Sequence, residues 1–442
     1  MLFQTLSSFL GNPNQSALRM VVIQRIWQGL SGLTTVFILT YYLSPIEQGW
    51  YYSLISLATL YVIFDFGLSN ALIQIASHLF VGQRWLSHGE IKGDKSQKIF
   101  HLGSHILKLY LTLFFIFILF MVPFGFWFFG YKDNQILNWH MPWIALVVGS
   151  GLAMLTLPFI AIYEGSGEVK SVYKLRLIQG ILGSIVSWVF MANGFGLWSP
   201  SIFFFVSFAV FIFWFIKNNP IFIKKIFLNK PVKINWAKQI WPLHWRVGLT
   251  WISTFFFTQM FVPILFYTQN IRLTGQMGLS LTLANMLGLF AQSWIAYGAP
   301  DMAKAVASKN WNLLDSSFKR NFVISIFVYI SSSLLTIFLY LFFSNSAYVH
   351  RLLPLSSFVG LLLIVFFNHI IGCFILHLRS YKKEPLAKIL FLGTIIALPL
   401  MVRFASSHAE LGLIGVALVM QAIFILPISF ILWKKYNILW RH

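Results

Sequence analysis

The sequence predicts an all-α polytopic membrane protein with about twelve transmembrane helices, arranged as two six-helix bundles around a central cavity. Apolar stretches of about membrane length recur along its 442 residues, and two of them, Leu111 to Phe129 and Ser201 to Ile216, contain no ionisable side chain. A hydrocarbon core about 30 Å thick requires about 20 apolar residues for each helical crossing. Hydrophobic residues form 58% of the chain and charged residues only 10%, which is rare in water-soluble folds.

The predicted crossings follow one another from the first long apolar run to the last. They begin near Val21, Trp50, Leu107, Trp143, Val172, Ser201, Val247, Met277, Phe322, Leu352, Ile389 and Leu413. Residues Met1 to Leu18 lack the basic segment and the cleavage site of a removable signal peptide. We therefore expect the first crossing to be retained as a signal anchor.

Basic residues collect in every second gap between the crossings. With the N-terminus inside, the six inner gaps hold 25 of the 32 Lys and Arg residues, in segments 84–98, 170–176, 217–246, 304–320, 379–388 and 434–441. The outer gaps hold four, Lys132, Arg272, Arg351 and Arg403. This asymmetry follows the positive-inside rule and predicts a multi-pass protein with both termini in the cytoplasm.

The formal net charge of +21 has two interpretations, a nucleic-acid partner or an anionic membrane surface. A nucleic-acid-binding domain concentrates its basic residues on one compact surface. Here the charges are spread over six short cytoplasmic segments, which favours attraction to the anionic lipids of the inner leaflet. We therefore expect membrane lipids, and no nucleic acid, as partners of these segments.

The longest polar interval divides the chain into two halves. The prediction is an N-terminal six-helix bundle at 1–216, a basic cytoplasmic linker at 217–245 and a C-terminal six-helix bundle at 246–442. A weak internal repeat supports the division, because a shift of 226 residues aligns Gly49 with Gly275, Leu57 with Leu283, Ala58 with Ala284 and Phe64 with Phe290. Halves with an even number of crossings have the same orientation, as in parallel repeats related by an axis along the membrane normal.

Sequence motifs of soluble enzymes are absent from the chain. It contains no Walker A loop, no G-x-G-x-x-G, no G-x-S-x-G and no H-E-x-x-H, so neither nucleotide hydrolysis nor a metal hydrolase has support. Cys373 is the only cysteine, which excludes an internal disulfide, a cysteine zinc site and a redox pair. We therefore predict a membrane transporter rather than an enzyme, with no cofactor and no metal site.

Polar residues at helical spacing mark three of the predicted crossings and suggest a lined cavity. We call these sets the three polar stripes: Arg25, Gln28, Gly32 and Thr35 in crossing 1; Arg246, Thr250 and Ser253 in crossing 7; Thr282, Asn285, Gly288 and Gln292 in crossing 8. Polar residues at membrane depth cost free energy and persist mainly where they face protein or water. The candidate substrate-binding residues are Arg25, Gln28, Arg246, Thr250, Asn285 and Gln292. The alternative is close helix packing, which small and hydroxylated residues at these spacings also serve.

Two titratable residues inside apolar runs are candidates for ion coupling. Asp65 is flanked by Phe64 and Phe66 and is followed by Gly67, and His369 follows Asn368. Either side chain could bind or release H⁺, and Asp65 could bind Na⁺. The structural alternatives are a local hydrogen-bonded role for Asp65 and a packing role for His369.

One segment carries a family resemblance. Residues 48–57 (QGWYYSLISL) and 64–72 (FDFGLSNAL) resemble the second helix of polysaccharide and O-antigen flippases, whose pattern is a Gly-aromatic start followed by D-x-G-L-x-x-A. Tyr163-Glu164-Gly165 with Lys174-Leu175-Arg176-Leu177 is similar to their junction between helices 4 and 5. These flippases belong to the multidrug, oligosaccharidyl-lipid and polysaccharide exporter (MOP) superfamily, and the resemblance implies its MATE-like fold.

The resemblance also implies a function. It predicts an inner-membrane flippase that moves undecaprenyl-diphosphate-linked oligosaccharide to the periplasmic leaflet by alternating access, with polysaccharide polymerase and glycosyltransferases as candidate partners. A cationic, hydroxyl-lined cleft would suit the diphosphate. Two alternatives stay open: an ion-coupled multidrug efflux transporter of the same superfamily, and a non-transporting scaffold of a polysaccharide assembly complex.

Overall fold

The computed structural model describes residues 16–132, 137–228, 241–381 and 385–441, and these are almost entirely helical. In the first half the helices are α1 (Ser16–Tyr42), α2 (Pro45–Ala58), α3 (Tyr61–Asp65), α4 (Leu68–Leu79), α5 (Ser96–Gly130), α6 (His140–Gly165), α7 (Val169–Ala192), α8 (Ser199–Asn218) and α9 (Pro220–Leu228). Two short strands, β1 (Arg84–Trp85) and β2 (Ile91–Lys92), precede α5.

The second half has the same helical character. Its helices are α10 (Trp241–Gln259), α11 (Phe261–Thr268), α12 (Ile271–Tyr297), α13 (Ala299–Ala307), α14 (Trp311–Phe342), α15 (Leu355–Arg379), α16 (Ala387–Val419) and α17 (Leu426–Leu439), with a π-helical turn at Met420–Ile425 between the last two. The predicted all-α polytopic fold is confirmed.

The number of crossings depends on how the broken helices are counted. Among the described residues, eight helical segments are long and apolar enough to cross a membrane, or ten if each of two bent pairs forms one crossing. One of the eight, Ala387–Leu439, has 53 residues and contains non-helical backbone at His408 and Ala409, so it is long enough for two crossings. Helix α1, with 27 residues, is long enough for another. Among the described residues the structure thus supports eight to ten crossings by length and apolarity, and the count of twelve stays a prediction.

Helices α5 and α14 begin well before the crossings predicted for them. Each starts eleven residues earlier than the predicted position, at Ser96 instead of Leu107 and at Trp311 instead of Phe322. The added turns contain charged residues such as Lys98 and Lys319. Hydropathy marks only the part of a helix that matches the hydrocarbon core, whereas the helices continue beyond it into the charged gaps predicted to be inner.

Large apolar side chains cover the outside of several helices. Phe327, Leu334 and Phe338 of α14 are 61–70% exposed, and Leu119 of α5 is 78% exposed. Soluble monomers rarely expose apolar side chains in such continuous bands, because water makes this surface unfavourable. These helix faces are therefore suited to lipid contact.

The chain divides into two compact units. The first holds the described residues within 1–42 and 57–245, and the second holds those within 43–56 and 246–442. The predicted linker at 217–245 is helical at Pro220–Leu228 and from Trp241, and its residues 229–240 lie outside the described part of the chain, so the division into two bundles and a linker stays a prediction. Residues 43–56, however, pack with the second unit although they lie in the first half of the sequence.

Close backbone approach explains why residues 43–56 pack with the second unit. A Cβ atom on Gly49 would lie 2.1 Å from the carbonyl oxygen of Ile271, and one on Gly275 would lie 2.8 Å from the amide nitrogen of Gly49. Helices α2 and α12 can approach this closely because both positions are glycine. The ring of Trp50 also packs edge-on against Phe266, at 5.1 Å between centroids.

A small antiparallel strand pair in the first unit was not predicted from the sequence. Residue Trp85 pairs with Ile91, and its ring stacks on Tyr163 with centroids 4.7 Å apart and an angle of 7° between the planes. The Trp85 indole N–H donates to Ser166 Oγ at 2.8 Å. The loop between α4 and α5 is thereby fixed against the end of α6.

Candidate functional site

The first polar stripe is open at one end and packed at the other. Arg25 and Gln28 of α1 are both exposed, and Arg25 Nη1 donates to Gln28 Oε1 at 3.2 Å. A Cβ atom added to the adjacent Gly29 would have no atom within 4 Å. Farther along α1, Thr35 Oγ1 accepts the indole N–H of Trp188 at 2.9 Å. Arg25 and Gln28 are therefore unburied, as are the neighbouring Ile26 and Leu30, whereas Thr35 serves packing against α7.

The second polar stripe faces α16 within the second unit. Thr250 is 5% exposed and Ser253 is 1% exposed. Thr394 Oγ1 of α16 donates to the carbonyl oxygen of Ser253 at 3.2 Å, and Ser253 Oγ donates to Leu249 O at 2.6 Å. The side chain of Arg246 lies outside the described residues. Ser253 is therefore engaged in helix packing, and Thr250 lies on the same buried side of α10.

The third polar stripe turns partly toward α15. A Cβ atom on Gly288 would lie 2.7 Å from Val365 Cγ1, and one on Gly372 would lie 3.3 Å from the side-chain amide of Gln292. Thr282 Oγ1 donates to Gly278 O at 2.8 Å, within its own helix. Asn285 is half-buried. Gly288 and Gln292 therefore contribute to the contact between α12 and α15, and the two stripes of the second unit face different helices.

Asp65 holds a break in the helix that carries the D-x-G-L segment. Phe66 and Gly67 adopt left-handed backbone conformations, with φ of 47° and 72°, and separate α3 from α4. The Asp65 carboxylate is buried and accepts hydrogen bonds from the Tyr110 hydroxyl, from Ser69 Oγ at 2.6 Å and from Ser69 N at 3.3 Å. The aspartate thus caps the first turn of α4 and ties it to α5. Its local donors satisfy a charge that would otherwise be costly to bury.

His369 lies in a buried polar cluster between α14 and α15. Its Nε2 lies 3.1 Å from Ser325 Oγ and 3.8 Å from Cys373 Sγ, and its ring stacks on Tyr329 with centroids 5.9 Å apart. The side chain is 4% exposed, and Nδ1 has no hydrogen-bond partner among the described residues. A buried ring nitrogen without a partner is a costly feature, so the position is suited to a water molecule.

A second polar contact near His369 was missed by the sequence analysis. Gln421 is 1% exposed and lies in the π-helical turn at Met420–Ile425, and its Nε2 donates to Asn368 Oδ1 at 2.7 Å. Its Oε1 has no partner within the described part of the chain. π-Helical turns in α-helices occur often at functional sites. The signal in the sequence was an isolated glutamine in the apolar run of the last crossing.

Arg351, which the sequence analysis placed in an outer gap, forms specific hydrogen bonds in the structure. Its Nη2 donates to Leu43 O at 2.8 Å and its Nη1 to Gln48 Oε1 at 3.4 Å, while Gln48 Nε2 donates to Gly275 O at 2.8 Å. Desolvation by burial lowers the pKa of Arg351, and the positive charge of Arg272 lowers it further. The guanidinium group therefore serves to bind residues 43–48 to the second unit.

The described residues contain no group of three or more His, Cys, Asp or Glu side chains arranged as metal ligands. The polar candidates instead form separate groups, with Arg25 and Gln28 in the first unit and Thr250, Asn285, Gln292 and His369 in the second. Their assignment to a substrate or an ion stays a prediction.

Comparisons with known proteins identify the fold. No protein-family model matches the sequence, and no curated protein matches it. Among solved structures, an inward-facing multidrug resistance MATE family transporter of the MOP superfamily matches with a TM-score of 0.70 and 13% identity, over 96% of this chain and 98% of that one. The inward closed conformation of the lipid II flippase MurJ matches with a TM-score of 0.56 and 16% identity, over 95% and 89% of the two chains.

A third solved structure with a similar fold is also a MOP superfamily transporter. A MOP superfamily transporter from Pyrococcus furiosus, described as having a binding pocket of reverse polarity, matches with a TM-score of 0.53 and 14% identity, over 98% of this chain and 97% of that one. At these identities the comparisons establish the fold alone. The chain has the fold of MOP superfamily transporters, and its structural neighbours include both MATE transporters and a lipid flippase.

Proposed function

We propose that the protein is a flippase that moves undecaprenyl-diphosphate-linked oligosaccharide from the cytoplasmic to the periplasmic leaflet of the inner membrane by alternating access. The near-complete coverage by MOP superfamily folds supports a transport role, and the D-x-G-L segment supports the narrower assignment. A diphosphate headgroup is too polar to cross hydrocarbon unaided, so its carrier must supply cationic and hydrogen-bonding groups.

The observation that favours an anionic cargo is the contrast between Arg25 and Asp65. Arg25 is exposed on α1 and has the Gln28 amide beside it. Asp65, the acidic residue that lies deepest in an apolar run, is buried and already accepts three hydrogen bonds from its own unit. An accessible carboxylate would complement a cationic drug, and Asp65 does not provide one in this arrangement.

The predicted binding residues fall into three roles. We assign Arg25 and Arg246 to the diphosphate, because guanidinium groups bind phosphate oxygens in pairs. Gln28 and Asn285 are assigned to the sugars, whose hydroxyl groups match amide donors and acceptors. Thr250 and Gln292 stay in the proposed site as supporting residues, since both also lie at helix contacts.

Ion coupling by H⁺ or Na⁺ is part of the proposal, with Asp65 and His369 as candidates. The geometry favours His369, since its Nδ1 lacks a partner among the described residues while Asp65 is satisfied. A carrier driven by H⁺ needs a group that can take up and release a proton during the cycle. His369→Gln would then abolish pH-driven accumulation and leave substrate binding unchanged.

Reconstitution tests the proposed cargo. Purified protein in liposomes would be supplied with a fluorescent undecaprenyl-diphosphate-linked oligosaccharide, and translocation would be followed by loss of quenching. We expect Arg25→Ala and Arg246→Ala to reduce the rate at least tenfold and Arg25→Lys to retain part of it, because one hydrogen-bonded charge is worth about 1.5–3 kcal/mol. The matched control is Arg403→Ala, at an exposed position in an outer gap. Unchanged rates in both arginine variants would refute the site.

The same protein, in liposomes and expressed in cells, also tests the two alternative functions. The MATE neighbours raise the efflux alternative, for which expression would increase drug resistance and the liposomes would transport a cationic drug. A non-transporting scaffold would give no translocation of either cargo, but would still be recovered with polysaccharide polymerase or glycosyltransferases. Translocation of the lipid-linked sugar without a change in drug susceptibility supports the flippase.

A further inference from the structure

Helix α9 is a short helix that is rigidly attached to the first unit. The chain turns at Asn219, directly after α8, where the backbone leaves helical geometry with φ of −133°. Asn219 is 3% exposed, and its Oδ1 accepts the hydroxyl group of Tyr163. Because this turn is buried and hydrogen-bonded, the orientation of α9 relative to α8 is fixed.

One face of α9 packs against the beginning of α5. Phe222 and Ile226 are 0% and 2% exposed. A Cβ atom on Gly103 would lie 2.8 Å from Ile226 Cδ1, and the Phe100 and Phe222 rings lie 5.7 Å apart. Phe100 and Gly103 lie in the first two turns of α5, before the part of that helix predicted to cross the membrane. Helix α9 therefore lies at the level of the inner end of the crossing.

The other faces of α9 and the end of α8 carry three lysines. Lys217 and Lys224 are exposed and Lys225 is half-buried. Two of the ammonium groups are held near aromatic rings, with Lys225 Nζ 4.7 Å from the centroid of Phe100 and Lys217 Nζ 5.8 Å from that of Phe213. Within the described ranges, none of the three forms an ion pair with a carboxylate. Their positive charge is therefore available to an external anion.

Exposed apolar side chains lie beside these cations. Phe227 and Leu228 at the end of α9 are 74% and 70% exposed, and Phe213 and Ile216 at the end of α8 are 70% and 57% exposed. A soluble phosphate offers these side chains no apolar surface, and Ile216 and Leu228 offer no ring on which a base could stack. A combination of lysines and large apolar side chains on a short helix is typical of segments that lie in the headgroup region of a membrane.

We propose that Lys217, Lys224 and Lys225, together with Phe227 and Leu228, form a binding surface for anionic phospholipid, here called the α9 surface. The ammonium groups contact the phosphate and the anionic headgroup, while Phe227 and Leu228 contact the upper part of the acyl chains. Charge complementarity selects an anionic lipid over a zwitterionic one. This surface is independent of the proposed cargo, because it lies on residues that the transport site does not include.

Lipid titration of the purified full-length protein tests the α9 surface. Fluorescent phosphatidylglycerol in detergent micelles is the probe, and phosphatidylcholine is the zwitterionic control. We expect K217Q/K224Q/K225Q to weaken phosphatidylglycerol binding about tenfold or more, since each lysine near an anionic surface contributes roughly a factor of five. K217R/K224R/K225R keeps the charge and should bind as the wild type does. The control is R272Q/R403Q, which removes two exposed cations from gaps predicted to be outer.

Four outcomes would overturn the proposal. In the first, K217Q/K224Q/K225Q binds phosphatidylglycerol as tightly as the wild type does, and in the second, the control variant loses as much binding as this triple variant. In the third, the wild type binds phosphatidylcholine as tightly as phosphatidylglycerol, and in the fourth, inorganic phosphate displaces the bound phosphatidylglycerol completely. Phe227→Ser with Leu228→Ser should also weaken binding, which a purely electrostatic site would not predict. Circular dichroism and size-exclusion elution verify folding. If the triple variant does not fold, the exposed Lys224→Gln alone should weaken binding severalfold at low salt, and no change in it would contradict the proposal.

Discussion

Asp65 illustrates how one buried carboxylate can serve structure in a helix that is interrupted. It accepts hydrogen bonds from Tyr110 and Ser69 at the point where Phe66 and Gly67 take left-handed conformations. Glycine reaches this conformation without the penalty that a Cβ atom imposes. The D-x-G-L segment is thus explained locally, as an acceptor, a left-handed turn and the start of the next helix.

The role of Asp65 can be tested through stability. We expect Asp65→Ala to lower the free energy of unfolding by about 1–3 kcal/mol, because the buried Tyr110 hydroxyl loses its acceptor. Asp65→Asn keeps an acceptor oxygen and should cost less. Thermal unfolding in detergent measures both, with the exposed Asp94→Ala as the control. Normal stability combined with lost transport in Asp65→Ala would instead assign the carboxylate to ion coupling.

Gly125 sits at another position where the packing leaves no room for a methyl group. A Cβ atom there would lie 2.0 Å from ring atoms of Trp143, whose side chain is completely buried and donates to Val122 O at 3.3 Å. The indole is also packed against Phe129, with centroids 5.1 Å apart. The ring therefore cannot move aside without disturbing its own hydrogen bond and its aromatic neighbour.

We expect Gly125→Ala to destabilise the first unit by about 1–3 kcal/mol through overpacking. Gly130→Ala is the matched control on the same helix, because a Cβ atom there meets nothing within 4 Å. The comparison is made by thermal unfolding in detergent. A Gly125→Ala protein as stable as the control would mean that α5 and α6 are less closely packed than the structure indicates.

At the scale of elements, the end of the last helix is bound to the beginning of α14. Arg441 donates through both Nη atoms to the carboxylate of Asp315, and its Nη2 also donates to Asn437 Oδ1 at 3.0 Å. The hydrogen bond with Asp315 raises the pKa of Arg441. Because the pKa of Arg441 is higher in the folded than in the unfolded protein, the stability that this contact provides is fully present below the unfolded pKa. It is lost only at strongly alkaline pH. The pair is therefore no switch in the neutral range.

A double-mutant cycle of Arg441→Gln and Asp315→Asn measures this contact. The two side chains are 23% and 51% exposed, so solvent screening limits the coupling energy to about 0.5–1 kcal/mol. The coupling is read from denaturant unfolding of the four proteins, and it should shrink at high salt. A coupling energy of zero, with each single variant destabilised, would show that each residue acts through other contacts such as Asn437.

The elements also differ in how far the sequence predicted them. Hydropathy located the crossings because burial in lipid constrains almost every side chain along about 20 residues. It did not predict the breaks at Met260 and His408 or the π-helical turn at Gln421, since these depend on local backbone geometry and on contacts distant in sequence. The polar stripes were visible as spacings, but spacing alone could not separate Thr35, which binds Trp188, from Arg25, which is exposed.

At the scale of the whole molecule, the internal repeat gains a structural meaning. Gly49 and Gly275, which the 226-residue shift aligns, lie directly against each other in the second unit. The sequence division at the linker could not reveal this, because residues 43–56 pack away from the half of the chain in which they occur. Equivalent small residues allow equivalent helices to approach closely, and this explains why the glycine pair stands out in an otherwise faint repeat.

The orientation of the chain in the membrane is the broadest prediction from the charge asymmetry. Cys373 is the only cysteine and is completely buried, so Cys373→Ser gives a background free of reactive thiols. Asn345→Cys and Lys170→Cys then place single thiols at exposed positions, the first in a gap predicted to be outer and the second in a gap predicted to be inner. We expect a membrane-impermeant maleimide to label Asn345→Cys in intact spheroplasts and Lys170→Cys only after permeabilisation.

The positive-inside rule makes this expectation specific, because lysine and arginine near the ends of crossings resist translocation. Labelling of both thiols after permeabilisation is the control for reactivity. The reverse pattern in intact cells would place both termini outside. It would also put the α9 surface in the outer leaflet and reverse the direction of the proposed transport. One labelling experiment therefore tests the topology, the lipid surface and the direction of transport.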